Sequence, residues 1–95
     1  MQERNDKPLE GAVGLAFPTE FPIKIMGRRV DDFAQAIVEV VQVHAPDFDP
    51  STLEMRTSKD GNYLSVTATI RATSREQLDD LYRALTSHPL VKVVL

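Results

Sequence analysis

The chain has 95 residues, 42% of them hydrophobic and 26% charged, which suits one globular domain and leaves no room for two. Eleven basic against fourteen acidic residues give a formal net charge of −3, the wrong sign for a protein that binds nucleic acid through its phosphates. The absence of cysteine excludes disulfides, thiolate nucleophiles and cysteine metal sites. We therefore expect a single cytoplasmic domain that binds no nucleic acid.

The first sixteen residues show no hydrophobic periodicity and contain Pro8, Gly11 and Gly14. Their composition predicts a flexible N-terminal leader over residues 1–16, followed by one folded domain over residues 17–95. No uninterrupted apolar run approaches the length of a signal sequence or a membrane span. Neither secretion nor membrane insertion is expected.

Beyond the leader, apolar residues alternate with period two over residues 21–26, and Gly27 ends the run. This pattern predicts a first strand with one apolar face. Over residues 30–44 the apolar residues instead recur every three or four positions, which predicts a helix. Asp31 and Asp32 would lie in its first turn, where the helix dipole favours anions. The two prolines that follow prevent further winding.

The middle of the chain predicts a hairpin. Residues 53–58 alternate between apolar and charged side chains, and a short charged strand suits a sheet edge. Residues 58–62 form a turn cluster in which Gly61 can adopt a positive backbone angle. Residues 63–72 alternate without error and are rich in β-branched side chains, which is typical of a central strand.

The last third predicts a second helix and a final strand. Thr73 and Glu76 have the spacing of a capping box, and an apolar helical stripe follows over residues 78–85. Pro89 stops further winding. Alternating valines in residues 91–95 then predict the fourth strand.

The order strand, helix, strand, strand, helix, strand predicts an α+β, ferredoxin-like split βαβ sandwich. Right-handed crossovers would give a four-stranded antiparallel sheet in the order 4-1-3-2, with both helices on one face. The predicted inward residues are Ile23, Ile25, Leu64, Val66, Ala68, Ile70, Val91 and Val93 from the strands, and Phe33, Ile37, Val40, Leu78, Leu81 and Leu85 from the helices. The uncovered face would display Lys24, Met26, Ser65, Thr67, Thr69, Lys92 and Val94. It is a candidate interaction face.

Four blocks carry a family resemblance: FPTEFPIKIMG at residues 17–27, VHAP at 43–46, GNYLSV at 61–66 and VKVVL at 91–95. In these blocks and their order the chain resembles the YbeD-like family of small bacterial proteins. The resemblance covers about residues 17–95 and leaves the leader out. It implies a βαββαβ fold similar to the ACT regulatory domain of amino-acid biosynthetic enzymes. It also implies a regulator connected with lipoate metabolism.

A candidate ligand site lies at Gly27, Arg28 and Arg29, between the first strand and the first helix. In ACT-like domains this turn often holds small ligands. A glycine lets a ligand approach the backbone, and two arginines could clamp a carboxylate. The alternative is that Gly27 only makes the turn and that the arginines are solvated beside Asp31 and Asp32.

No metal, cofactor or catalytic residue is predicted. His44 and His88 each lie near a predicted helix end, where a cation interacts favourably with the helix dipole. Two histidines without cysteines or a tight acidic cluster are a poor metal site. The hydroxyls of Ser65, Thr67 and Thr69 have no general base placed beside them by sequence.

The sequence does not support three functions of other proteins that have this fold. An acylphosphatase needs an asparagine on the second strand, and residues 53–58 contain none. An RNA-binding domain of this fold needs exposed aromatic residues on its first and third strands, where only Tyr63 would qualify. A copper carrier would need a cysteine pair.

We therefore predict a non-enzymatic, ACT-like regulatory module that senses a small carboxylate ligand without a cofactor. The alternative is a protein-interaction adaptor that docks a partner on the uncovered sheet face, or by strand addition to residues 53–58. Self-association into a homodimer stays open under both hypotheses.

Overall fold

The computed structural model describes residues 16–95, so the predicted leader lies outside the described residues except for Ala16. The elements are β1 (Thr19–Arg28), α1 (Phe33–His44), β2 (Glu54–Thr57), β3 (Tyr63–Ala72), α2 (Arg75–Thr86) and β4 (Val91–Val94), with one 3₁₀ turn at Pro50–Thr52. The strands form one antiparallel sheet in the order β2-β3-β1-β4. The predicted ferredoxin-like architecture and its strand order are thus confirmed.

The hydrophobic core lies between the helices and one face of the sheet. Two apolar periods meet there, the alternation of β1 and β3 and the helical stripes of α1 and α2. Val41 occupies a fully buried position on α1, whereas Val40 and Leu64, both predicted inward, are only partly buried. The buried residues that were predicted inward are Ile23, Ile25, Phe33, Ile37, Val66, Ala68, Ile70, Leu78, Leu81 and Leu85.

β4 does not place its valines as predicted. Val94 pairs with Ile25 and Val93 pairs with Met26, after which the ladder skips Lys92. Cross-strand partners point to the same side of a sheet, so Val94 lies on the core side and Val93 on the uncovered side. Val94 packs against the core, and Val93 is 44% exposed. The prediction that Val93 faces inward and Val94 outward is wrong, because a β-bulge interrupts the simple alternation.

The connection from β1 to α1 also differs from the prediction. β1 continues to Arg28, so Gly27 lies inside the strand and not in a turn. α1 begins at Phe33 and not at Val30, and the Phe33 amide donates to the Val30 carbonyl at 3.1 Å. Asp32 is the residue before the first helical turn and makes no side-chain cap. Pairing with the neighbouring strands extends β1 beyond the glycine, which delays the helix.

The cap of α2 is shifted by one residue from the predicted Thr73 and Glu76 box. The Ser74 hydroxyl accepts from the Gln77 amide at 3.0 Å, and the Gln77 side-chain oxygen accepts from the Thr73 amide at 2.7 Å. The first interaction satisfies an amide that the helix start leaves unpaired, and the second ties the residue before the cap to the first turn. The Gln77 side-chain NH₂ also donates to the His44 carbonyl at 2.9 Å. Gln77 therefore joins the start of α2 to the end of α1.

The hairpin between β2 and β3 is held by its own side chains. Gly61 has a φ of 79°, a left-handed conformation that glycine adopts without a steric penalty. The Asp60 carboxylate accepts from the Ser58 hydroxyl at 2.7 Å and from the Asn62 amide at 3.0 Å, and these bonds lower its pKa. The Tyr63 amide in turn donates to the Ser58 hydroxyl at 3.0 Å. These contacts set the register in which β2 pairs with β3.

Candidate functional site

The predicted clamp of Gly27, Arg28 and Arg29 is not assembled. Gly27 is buried, and a Cβ on it would overlap the Leu90 carbonyl oxygen and the Phe33 ring. Successive side chains of an extended chain point to opposite sides, so the two arginines separate. Arg28 ends the uncovered side of β1, whereas Arg29 lines a groove on the helix side. Gly27 serves close packing and leaves no room for a ligand.

The uncovered side of the sheet does bring most of the predicted interaction residues together. This surface, the open face, consists of residues from all four strands and includes Arg56, Val93 and Leu95, which were not predicted for it. Val94 is absent from it because of the bulge in β4. The open face comprises Lys24, Met26, Arg28, Glu54, Arg56, Tyr63, Ser65, Thr67, Thr69, Arg71, Val93 and Leu95.

The strand register arranges the open face in rows. One row runs from Arg56 through Ser65 to Met26 and Val93, and the next runs from Glu54 through Thr67 to Lys24 and Leu95. Leu95 joins the second row because its backbone exchanges two hydrogen bonds with Lys24, at 2.8 and 3.3 Å. Lys24 and Arg56 thus flank β3 from opposite sides, in adjacent rows.

Two shallow depressions, of about 240 and 250 Å³, lie side by side on the open face. Lys24, Arg56 and Ser65 line both of them, so the two form one continuous surface. The larger depression is also lined by Tyr63 and Leu95, which are 36% and 64% exposed. The combination offers two cations and a hydroxyl beside exposed apolar area.

Lys24 and Arg56 form no salt bridge with another described residue. Within residues 16–95, no carboxylate oxygen lies within 4.0 Å of the charged groups of Lys24 or Arg56. Glu54 stands in the same row as Lys24, two strands away. An incoming anion could therefore accept hydrogen bonds from either side chain without displacing an internal ion pair.

A second concave surface lies on the other side of the sheet edge. This edge groove, of about 370 Å³, runs between β2 and the start of α1. Met55 is 60% exposed beside it, and Val30 is 39% exposed. The groove is lined by Arg29, Val30, Asp31, Ala34, Met55, Thr57 and Leu64.

Of the residues missing from the predicted interaction face, Arg56 follows from a local sequence pattern, whereas Val93 and Leu95 do not. Arg56 alternates with the helix-side residues Met55 and Thr57, so its outward direction follows from period two. Its closeness to Lys24 depends on the pairing of two strands with a third, which no local pattern encodes. The positions of Val93 and Leu95 depend on the bulge.

The two histidines make local contacts with the backbone, and the hydroxyls of Ser65, Thr67 and Thr69 make no side-chain hydrogen bond among the described residues. His44 Nδ1 lies 3.2 Å from the Val40 carbonyl, and His88 Nδ1 accepts from the Leu90 amide at 3.1 Å. In the described part of the chain, no three histidine or carboxylate side chains gather as metal ligands. No helix among residues 16–95 is long and apolar enough to cross a membrane.

Comparison with known proteins identifies a family and a solved structure of similar fold. The family model described as "Protein of unknown function (DUF493)" matches residues 13–95. The chain is 59% identical over 81 residues to the UPF0250 protein RSc0326 of Ralstonia nicotianae, covering 85% of this chain and 84% of that protein. It is 51% identical over 90 residues to a UPF0250 protein of Leptothrix cholodnii, covering 95% and 98%. The solution structure of protein HP0495 from H. pylori has a TM-score of 0.71 at 14% identity, covering 97% of this chain and 98% of that one, which shows a shared fold.

Proposed function

Since the chain belongs to the DUF493 family, the YbeD-like group that its sequence blocks indicate, we propose that it is a non-enzymatic regulatory module. Its ligand would be a small carboxylic acid, bound on the open face and not at the turn after β1. The observation that carries the proposal is the pair of cations Lys24 and Arg56, on either side of Ser65, neither of which forms a salt bridge among the described residues.

The surroundings of the cations indicate which carboxylate would fit. A carboxylate placed over Ser65 would accept charge-assisted hydrogen bonds from Lys24 and Arg56. A short apolar chain attached to it would then cover Tyr63 and Leu95 and remove their exposed area from water. Depressions of about 240 and 250 Å³ are smaller than the cavities that hold drug-sized ligands. Medium-chain acids such as octanoate and lipoate have this chemistry, and the family resemblance implies a regulator connected with lipoate metabolism.

The hydroxyls of the open face are hydrogen-bonded to no base among the described residues, which supports a role in binding and not in catalysis. Ser65, Thr67 and Thr69 make no side-chain hydrogen bond to a histidine or carboxylate within the described residues. A serine or threonine nucleophile needs a base within hydrogen-bond reach to be activated. The surface therefore supports recognition of an anion more directly than a reaction on it.

Amide NMR titration with octanoate and lipoate tests the proposal. Shifts should centre on Lys24, Met26 and Ser65, and octanamide, which lacks the charge, should produce much smaller ones. Arg56→Gln should weaken binding by up to about fivefold, the equivalent of about 1 kcal/mol for an exposed ionic contact. Arg71→Gln removes the same charge from the same strand face roughly 20 Å from Ser65 and should leave binding unchanged. Absence of shifts at millimolar acid, or equal responses to octanamide, would contradict the proposal.

A protein-interaction adaptor is the second candidate, and the exposed apolar side chains of the open face favour it. Val93 and Leu95 are 44% and 64% exposed and lie in adjacent rows. An adaptor would bury them against a partner protein. Affinity capture from cell extract should then retain a specific partner that Met26→Glu loses and that Glu39→Lys, on α1, keeps. Retention of the same partner by Met26→Glu would exclude docking on the open face.

A further inference from the structure

β2 is an uncovered sheet edge with the means to pair with another strand. It is the terminal strand of the sheet formed by residues 16–95, and its four residues, Glu54–Thr57, are all exposed. Exposed edge strands offer unpaired backbone groups to any chain that can align with them. Here the exposed Met55 side chain and the edge groove lie beside that edge.

The hairpin geometry shows which backbone groups point away from the sheet. The Ser58 amide donates to the Tyr63 carbonyl at 2.9 Å, so Ser58 points its backbone groups toward β3. In an antiparallel ladder this direction alternates from residue to residue. Met55 and Thr57 therefore direct their amides and carbonyls outward, and so does the Leu53 carbonyl by the same alternation. These are the groups that a second strand would meet.

We propose that two copies of this chain associate through β2, with their edge strands antiparallel and Met55 on the two-fold axis. Such an axis stands normal to the sheet, and the register depends on which residue lies on it. With Met55 on the axis, Glu54 lies opposite the partner's Arg56, and Arg56 lies opposite the partner's Glu54. Both pairs join opposite charges on the open face.

The neighbouring registers are disfavoured by the same charges. With Glu54 on the axis, it would lie opposite Glu54 of the partner subunit. With Arg56 on the axis, it would lie opposite the partner's Arg56. Like charges directly opposite each other destabilise a strand pair, whereas opposite charges stabilise it. The charges of β2 therefore favour Met55 on the axis over either neighbouring register.

The selected register also satisfies the backbone and covers apolar surface. The Met55 amide and carbonyl would pair with those of the partner's Met55. The Thr57 amide would donate to the partner's Leu53 carbonyl, and the partner's Thr57 amide would donate to the Leu53 carbonyl. On the helix side, the two Met55 side chains would meet across the axis. The two edge grooves, each of about 370 Å³, would then face one another. The product is an eight-stranded sheet with all helices on one side.

Charge-reversal variants measured by sedimentation equilibrium test this pairing. Glu54→Arg and Arg56→Glu each place like charges opposite each other twice, so each should weaken self-association by at least about tenfold. An equimolar mixture of the two variants should associate as wild type does, because one copy offers two arginines and the other two glutamates. The double variant Glu54→Arg with Arg56→Glu should recover association by itself. Arg56 also belongs to the proposed ligand surface, so in the dimer the partner's Glu54 and a bound carboxylate would compete for its guanidinium. Sedimentation is therefore measured without ligand.

A cysteine placed on the axis gives an independent measurement. Residues of a hydrogen-bonded antiparallel pair have Cα atoms about 5.5 Å apart, within the range of a disulfide. The sequence has no cysteine, so Met55→Cys should form a covalent dimer under mild oxidation, and Thr69→Cys on the open face should remain largely monomeric. Wild-type protein that is monomeric at millimolar concentration, or single variants that associate as wild type does, would overturn the proposal.

Discussion

Replacing Gly27 with alanine is expected to lower the free energy of unfolding by about 3 kcal/mol, the upper part of the usual range for overpacking a core. The added Cβ would overlap the Leu90 carbonyl oxygen and Cε1 of Phe33, and would stand 2.9 Å from Cζ of Phe33. The ring could shift at some cost, but the carbonyl belongs to the backbone that leads into β4. Relief would therefore require β4 to move away from β1.

Urea denaturation followed by circular dichroism measures this loss, and Gly61→Ala provides the control. A Cβ on Gly61 meets nothing within 4 Å, but φ is +79°, so alanine would incur only the strain of a left-handed conformation. That strain costs about 1 kcal/mol. Gly27→Ala should be clearly the more destabilising variant. Equal losses for the two variants would show that Gly27 is not constrained by packing.

Replacing Phe33 with alanine should cost about 3–5 kcal/mol, because the ring is fully buried and truncation leaves a cavity. Phe33 is the first residue of α1 and contacts Gly27 in β1, so the cavity would open where the helix meets the sheet. The same denaturation measurement applies. Val43→Ala, on the same helix at a side chain that is 75% exposed, should change stability by less than about 0.5 kcal/mol.

The two substitutions should also interact. In the double variant the missing ring leaves space for one of the two contacts that the alanine Cβ at Gly27 would make. The combined loss should therefore fall short of the sum by about 1 kcal/mol, within the range seen for residues in contact. Strict additivity would mean that the overlap with the Leu90 carbonyl accounts for the whole effect of Gly27→Ala.

The fold could be predicted from the sequence because its core residues repeat with local periods. Ile23 and Ile25 alternate on β1, and Leu78, Leu81 and Leu85 follow the turns of α2, so burial follows directly from spacing. The end of β1 could not be predicted in this way. Gly27 is a strand breaker by local preference, yet it pairs with Leu64 of β3, a partner distant in sequence.

The candidate site was predictable only strand by strand. Period two places Lys24 and Ser65 on the same side of the sheet once β1 and β3 are adjacent, which the fold order implies. Arg56 reaches the same surface through the register of a hairpin that the Asp60 contacts define. The structure does not bring Arg28 and Arg29 together, because the extended backbone continues past Gly27 and sends the two side chains apart.

The bond from Gln77 to the His44 carbonyl has a consequence for how the domain opens. The fold consists of two βαβ halves, and α1 belongs to one half while α2 belongs to the other. The last carbonyls of α1 have no partners within their own helix, and one of them is satisfied by the second half. Fraying of either helix end at this point costs the other a hydrogen bond. The two halves are therefore expected to unfold as one cooperative unit. A half separated from the other would lose a hydrogen bond at one end of its own helix.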